Sequence, residues 1–172
     1  MFEFDEETFK TEKAKWGSLN IANYTFTCKY SAPPPNEYYV VSSTVENKVN
    51  THNEMIEDPG LERWMNNEAL DEETLAELTE IKADPMHKKE VRFSSIDVIY
   101  RHIEKFVSSE KENYDAGTNS KVRIKVTYDK KYHYPTAYLT EVVRVRDTDL
   151  TVIGGDGSSY LYVSKFEIPE EE

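Results

Sequence analysis

Lys121 to Tyr138, KVRIKVTYDKKYHYPTAY, constrains the fold more than any other part of the chain. Val122, Ile124, Val126 and Tyr128 alternate with Lys121, Arg123, Lys125 and Thr127. A side-chain period of two puts these sets on opposite faces of a strand, one apolar and one basic. Asp129 to His133 supplies a polar break, and Pro135 biases Tyr134 towards extended geometry. A second strand is therefore expected from Thr136 to Arg146, with Leu139, Val143 and Val145 on one side. Such a hairpin belongs to an antiparallel sheet covered on one face.

The cover is also legible. Ser94 or Ser95 can cap a helix in which Ile96, Ile99, Ile103, Phe106 and Val107 form one stripe. His102 borders that stripe and reads as a packed histidine rather than a ligand or base. Beyond Ser109 the run EKENYDAGTNS reads as a polar loop. Upstream, Asp5 to Gly17 has a capping aspartate, acidic residues in its first turn and a terminal glycine, which predicts a short helix. Phe9 and Trp16 share its inner side, and Trp16 reads as a packing anchor closing one sheet edge.

Tyr24, Phe26, Cys28 and Tyr30 alternate with polar residues, so Ile21 to Tyr30 is a strand with one buried face and Cys28 points inward as an inert thiol. Ser31 to Asn36, SAPPPN, is a loop. Tyr38 to Val45 and Lys48 to Ile56 are two further strands joined by a turn at Glu46 and Asn47. Asp58-Pro59-Gly60 opens a helical segment with Leu61, Trp64 and Met65 at helical spacing. Asp71 opens another, with Leu75, Leu78 and Ile81 on one stripe, so residues 57–90 read as an acidic helical insertion laid against the sheet edge. Asp147 to Ser159 is a connection, Tyr160 to Ile168 the last strand, and PEEEE an acidic tail.

These elements define one α+β domain over 1–172: an antiparallel sheet of about six strands, covered on one face by a central helix, with a short N-terminal helix and a small helical insertion. A chain of 172 residues is long enough for one substantial core. A formal charge of -12 argues against attraction to nucleic acid or anionic lipid, and solubility is its simplest consequence. No run approaches the ~18 apolar residues of a membrane span, and MFEFDEETFK lacks the regions of a signal peptide. Met1 can equally be a start that replaces a removed signal or lipoprotein leader, so a lipid anchor stays open.

Chemistry-bearing motifs are sparse. A single cysteine allows no internal disulfide and no thiolate cluster. His52, His87, His102 and His133 show no HExxH or i,i+4 spacing, so no metal is expected. Asp147, Asp149 and Asp156 do not match a calcium loop, and Gly154 to Gly157 lacks the GK[ST] ending of a phosphate loop. No cofactor motif and no nucleophile-base pair stands out. The more informative feature is the basic side of the hairpin. Lys121, Arg123 and Lys125, joined by Arg144 and Arg146 from the return arm, would form a positive stripe near Tyr128, Tyr132, Tyr134 and Tyr138. Rigid aromatics mixed with arginine anchor protein interfaces, so Arg123, Lys125 and these four tyrosines are the candidate binding residues. The plainer reading is a cross-strand charge ladder with glutamates such as Glu141 and Glu167, with the tyrosines at the core edge.

With these residues in view, the chain resembles a bacterial family described as domain of unknown function 6174, found largely in exported proteins and lipoproteins. Trp16 followed by Ile21 and Tyr24-Thr25-Phe26 is similar to the family's opening, and Ser95-Ile96 to the start of its central helix. Val126-Thr127-Tyr128-Asp129 with Tyr134-Pro135-Thr136 resembles its hairpin signature, and Tyr160 to Phe166 its closing strand. The likeness spans most of residues 14–168. Cys28 stands alone where members often carry a cysteine pair, His133 stands where glycine is usual, and residues 58–90 are longer and more acidic. The resemblance implies an extracytoplasmic bacterial protein, periplasmic, cell-surface or secreted, and assigns no catalytic residues; without it the cytoplasm is the default. The leading expectation is a non-enzymatic interaction module whose partner is another envelope protein. A metal-dependent or hydrolytic enzyme with a site between sheet and insertion, and a purely structural domain, are the alternatives.

Overall fold

A computed structural model describes residues 1–31, 38–58, 66, 68–83, 92–145 and 157–170. The elements are β1 (Phe2–Glu3), α1 (Glu6–Leu19), β2 (Tyr24–Ser31), β3 (Tyr38–Glu46), β4 (Val49–Glu57), α2 (Glu72–Ala83), α3 (Ile96–Asp115), β5 (Asn119–Tyr128), β6 (Pro135–Arg144) and β7 (Gly157–Glu167). The fold class is α+β, with seven strands among the described residues rather than about six. The sheet is mixed rather than antiparallel, because β1 runs parallel to β5. A two-residue strand carries no readable period, which is why β1 is invisible in the sequence. The chain divides into two compact units: Met1–Ile21 with Ile96–Tyr162, and Ala22–Ser95 with Val163–Glu172.

In the first unit the strands hydrogen-bond in the order β1-β5-β6-β7. On β5, Val122 and Ile124 are buried while Arg123 and Lys125 are exposed, as the alternation requires. Helix α3 begins directly after Ser95 and packs on β5 and β6. Ile96, Ile99, Tyr100 and Ile103 are its buried apolar side chains, with Phe106 and Val107 half-buried. The helix does not stop near Ser109 but runs to Asp115. Glu110 turns inward there and accepts a hydrogen bond from Asn119 Nδ2, which gives the polar run a buried anchor. The C-terminus then closes in a Schellman arrangement: Thr118 N–H donates to the Asn113 carbonyl at 2.8 Å and Gly117 N–H to Tyr114 at 3.0 Å. Gly117, at φ +78°, supplies the left-handed residue this requires.

Helix α1 is capped by Asp5, whose carboxylate accepts the Thr8 N–H at 3.0 Å and is held below the usual carboxylate range by that bond. It passes Gly17 and ends at Leu19, because Asn20 takes the left-handed cap position at φ 52°. Phe9 and Trp16 are buried, Phe9 lying 5.6 Å from the Tyr100 ring and Trp16 Nε1 donating to Asp97 at 3.1 Å. Asp129 closes the β5–β6 hairpin by accepting the N–H groups of Lys131 and Tyr132 at 2.8 and 2.7 Å. The inward side of β6 is Tyr138, Thr140 and Val142, paired with Val126, Ile124 and Val122. Leu139 and Val143 therefore share the outward side with Lys125 and Lys121, and Val145 is exposed, so the expected apolar side of this arm faces away from the core. The core admits Thr140 because its hydroxyl bonds Ser159 Oγ at 2.7 Å.

In the second unit the order is β7-β2-β3-β4. Tyr24, Phe26, Cys28 and Tyr30 are buried as their alternation predicts, and burial pushes the Cys28 thiol up to about 12. The β3–β4 turn centres on Asn47 and Lys48, one residue later than expected, both at positive φ, the pair of conformations a two-residue hairpin turn of type I′ demands. On β4 the only buried side chain among the described residues is Asn53, which accepts from Ser43 Oγ at 2.8 Å. Helix α2 is capped by Asp71, which accepts the Thr74 N–H at 2.7 Å. Leu78 is buried but Leu75 is exposed, so the expected stripe is interrupted. The segment with Leu61, Trp64 and Met65, the triple proline, Arg146 and the Asp147 to Asp156 loop lie outside the described residues.

Ile99 tests this packing. Truncation to alanine at a fully buried helix position should cost about 2–5 kcal/mol in urea unfolding with an unchanged m-value. A loss below about 1 kcal/mol would mean that α3 does not press on β5 and β6 as described.

Candidate protein-binding face

On an antiparallel ladder the residues of one parity line up across the strands, and here the outward rows are set by register. Arg123 lies opposite Glu141, which lies opposite Ser158; Lys125 opposite Leu139, then Tyr160; Thr127 opposite Ala137, then Tyr162. Lys121 Nζ bonds Glu141 at 2.7 Å, and Arg123 reaches Glu3 at 2.8 Å and Glu141 at 3.7 Å. The Lys121 hydrogen bond first, and then the charges of Lys121 and Arg123, hold the Glu141 carboxyl below its usual range. Glu3 raises the Arg123 guanidinium in the same manner. The positive stripe is thus largely a charge ladder, with Glu3 as a member that two residues of sequence could not announce. Lys125 is exposed and forms no ion pair with a described residue.

The six sequence-derived binding residues do not gather on this face. Arg123 and Lys125 do. Tyr138 is 1% exposed, set edge-on between His102 and Phe106 at 5.9 and 6.1 Å, on the opposite side of the sheet. Tyr134 is buried as well. Tyr128 is half-buried, its phenol pushed up by burial and by the charges of Glu12 and Asp5. Tyr132 sits in the hairpin loop with Lys131 Nζ 4.7 Å from its ring centre. The aromatics that do join the face are Tyr160 and Tyr162, 5.2 Å apart, with Tyr162 43% exposed. Their alternation with Leu161 and Val163 is visible in the sequence, but only the β6–β7 register shows which basic residue they accompany.

One arrangement in this unit has the form of catalytic machinery. His133 Nδ1 lies 2.6 Å from Glu12 Oε2, and both side chains are largely buried. A carboxylate on Nδ1 leaves Nε2 free, the orientation that suits a general base. No serine, threonine or cysteine among the described residues hydrogen-bonds that ring. His133 is instead fixed by its backbone: its φ is +61°, its N–H donates to the Asp129 carbonyl at 3.0 Å, and its own carbonyl accepts the Tyr100 hydroxyl. The pair ties α1 to the hairpin. No group of three or more histidine, cysteine, aspartate or glutamate side chains is placed to hold a metal ion among the described residues. No helix among them is long and apolar enough to cross a membrane.

Compared with protein-family models, with curated proteins and with solved structures, the chain matches none.

The Glu12 pairing has a pH signature. Burial raises its carboxyl, but the hydrogen bonds from Lys15 and His133 outweigh this and hold it below its ordinary value of 4.5. A carboxyl depressed in the folded state contributes stability above that ordinary value and loses it as pH falls through the folded one. Wild type should exceed Glu12→Gln by about 1 kcal/mol at pH 5, and the gap should close towards pH 3 in urea titrations. A gap independent of pH would remove the charged pair from the account.

Proposed function

We propose that the chain is a non-enzymatic protein-binding module that uses the outward face of β5, β6 and β7. The observation that carries this reading is the juxtaposition of Lys125, which has no ion-pair partner among the described residues, with Leu139, Tyr160 and the exposed Tyr162. An aromatic pair beside an aliphatic side chain supplies contact area at low conformational cost, and one uncommitted cation supplies orientation. The partner this suits is a protein surface offering a carboxylate next to an apolar side chain. The overall charge of -12 disfavours nucleic acid as an alternative ligand. The resemblance to the exported domain-of-unknown-function family supports placing that partner in the bacterial envelope, with a leader or lipid anchor preceding the domain. The purely structural and enzymatic readings have no comparable observation behind them.

Retention of envelope proteins on the immobilised chain tests this. A set held by wild type should be lost with Tyr160→Ala and Tyr162→Ala combined, and should weaken about tenfold with Lys125→Glu or on raising the salt. Retention that is the same for wild type and both variants would reject the face.

A further inference from the structure

The first unit has a second feature, at the opposite border of its sheet. β1 pairs with β5 only at Val122 and Arg123, with Val122 N–H donating to the Met1 carbonyl at 2.8 Å. Backbone groups along a regular strand alternate in direction. The β5–β6 register is unbroken from Lys121 to Thr127, so the groups of Ile124 and Val126 point to the same side as those of Val122. After Glu3 the chain turns away into the Asp5 cap of α1. The Val126 N–H and carbonyl therefore face outward with no strand beside them among the described residues.

An open groove of about 340 Å³ runs along this stretch, between Phe4 and Asp5 on one side and Lys125, Val126 and Tyr128 on the other. Its acids are engaged within the unit: Glu3 holds Arg123 at 2.8 Å, and Asp5 accepts the Thr8 N–H at 3.0 Å. Lys125 is the groove's charge that has no ion pair among the described residues. Unpaired main-chain donors and acceptors in register select one kind of ligand, an extended polypeptide, because only another strand presents complementary groups at the same repeat. A residue opposite Lys125 would share its side of the sheet and meet its ammonium, whereas its neighbours would lie over Phe4 and Tyr128.

We propose that the β5 edge at Val126 takes up an extended peptide by strand addition, in which apolar residues alternate around one acidic residue placed opposite Lys125. Lysines on an edge strand and short edges usually discourage such pairing, and the brevity of the open stretch confines it to a short segment. The groove shares Lys125 with the Tyr160–Tyr162 face but none of its other lining side chains, so Tyr162→Ala tells the two surfaces apart.

The test titrates the intact chain with a fluorescein-labelled heptapeptide that alternates valine with threonine around a single central glutamate, read by fluorescence anisotropy in physiological salt. NMR amide exchange follows Val126. Saturable binding is expected, with slowed exchange at Val126, roughly tenfold weaker binding for Lys125→Glu, and no effect of Tyr162→Ala. The same peptide N-methylated at alternate residues should not bind, an arm that leaves the protein untouched. Absence of binding, equal binding of the N-methylated peptide, or unchanged Val126 exchange at saturation would overturn the proposal. Protection of Val126 that grows with protein concentration without peptide would assign the edge to a second copy and overturn it too.

Discussion

The pressing of α3 onto the inner side of β5 and β6 is the interaction on which the first unit depends. Val122 and Ile124 can be desolvated only because Ile96, Ile99 and Ile103 are presented at helical spacing against them. Burial of each such side chain is worth on the order of 1.5–3 kcal/mol, far more than any surface ion pair in the molecule. That one-sided burial also dictates where charge must go. Lys121, Arg123 and Lys125 are outward because their neighbours are inward, and the pairing of Lys121 with Glu141 and of Arg123 with Glu3 follows from that placement. The ladder is a consequence of the fold.

The N-terminal segment does more than its length suggests. Met1 to Glu3 covers part of the β5 edge, Asp5 ends that pairing by starting a helix, and the helix returns Phe9 and Trp16 to the core. The same helix carries Glu12 to His133, a residue the hairpin holds at positive φ. A histidine in that conformation carries a strain that glycine would not, and its bonds to Glu12, Asp129 and Tyr100 compensate. Edge cover, helix cap and hairpin closure are thus mechanically linked through about a dozen consecutive residues.

Tyrosine shows how one residue type divides by environment. Tyr138 fills space beneath α3, Tyr100 spans from helix to hairpin, and Tyr160 and Tyr162 stand on the outward face. An amphipathic ring tolerates all three settings, so tyrosine content alone is a poor guide to a binding surface. Tyr160 and Tyr162 are the aromatics left on the solvent side with Lys125, which has no ion pair among the described residues.

By itself, the sequence determined the strand faces of β2 and β5, the α3 stripe, the caps at Asp5 and Asp71, and the burial of Cys28. Each is a local matter, settled by a period of two or 3.6 or by one side chain reaching a nearby amide. The tertiary structure alone decided which parity of β6 turns inward, that Glu110 anchors a longer α3, that Phe2 and Glu3 form a strand, and that Tyr160 and Tyr162 rather than Tyr134 and Tyr138 flank Lys125. These depend on register and on contacts between residues far apart in the chain, the two tyrosines sharing the outward face with Lys125 across the intervening β6. A strand with apolar residues on both parities, such as β6, holds no local record of which set its partners will cover.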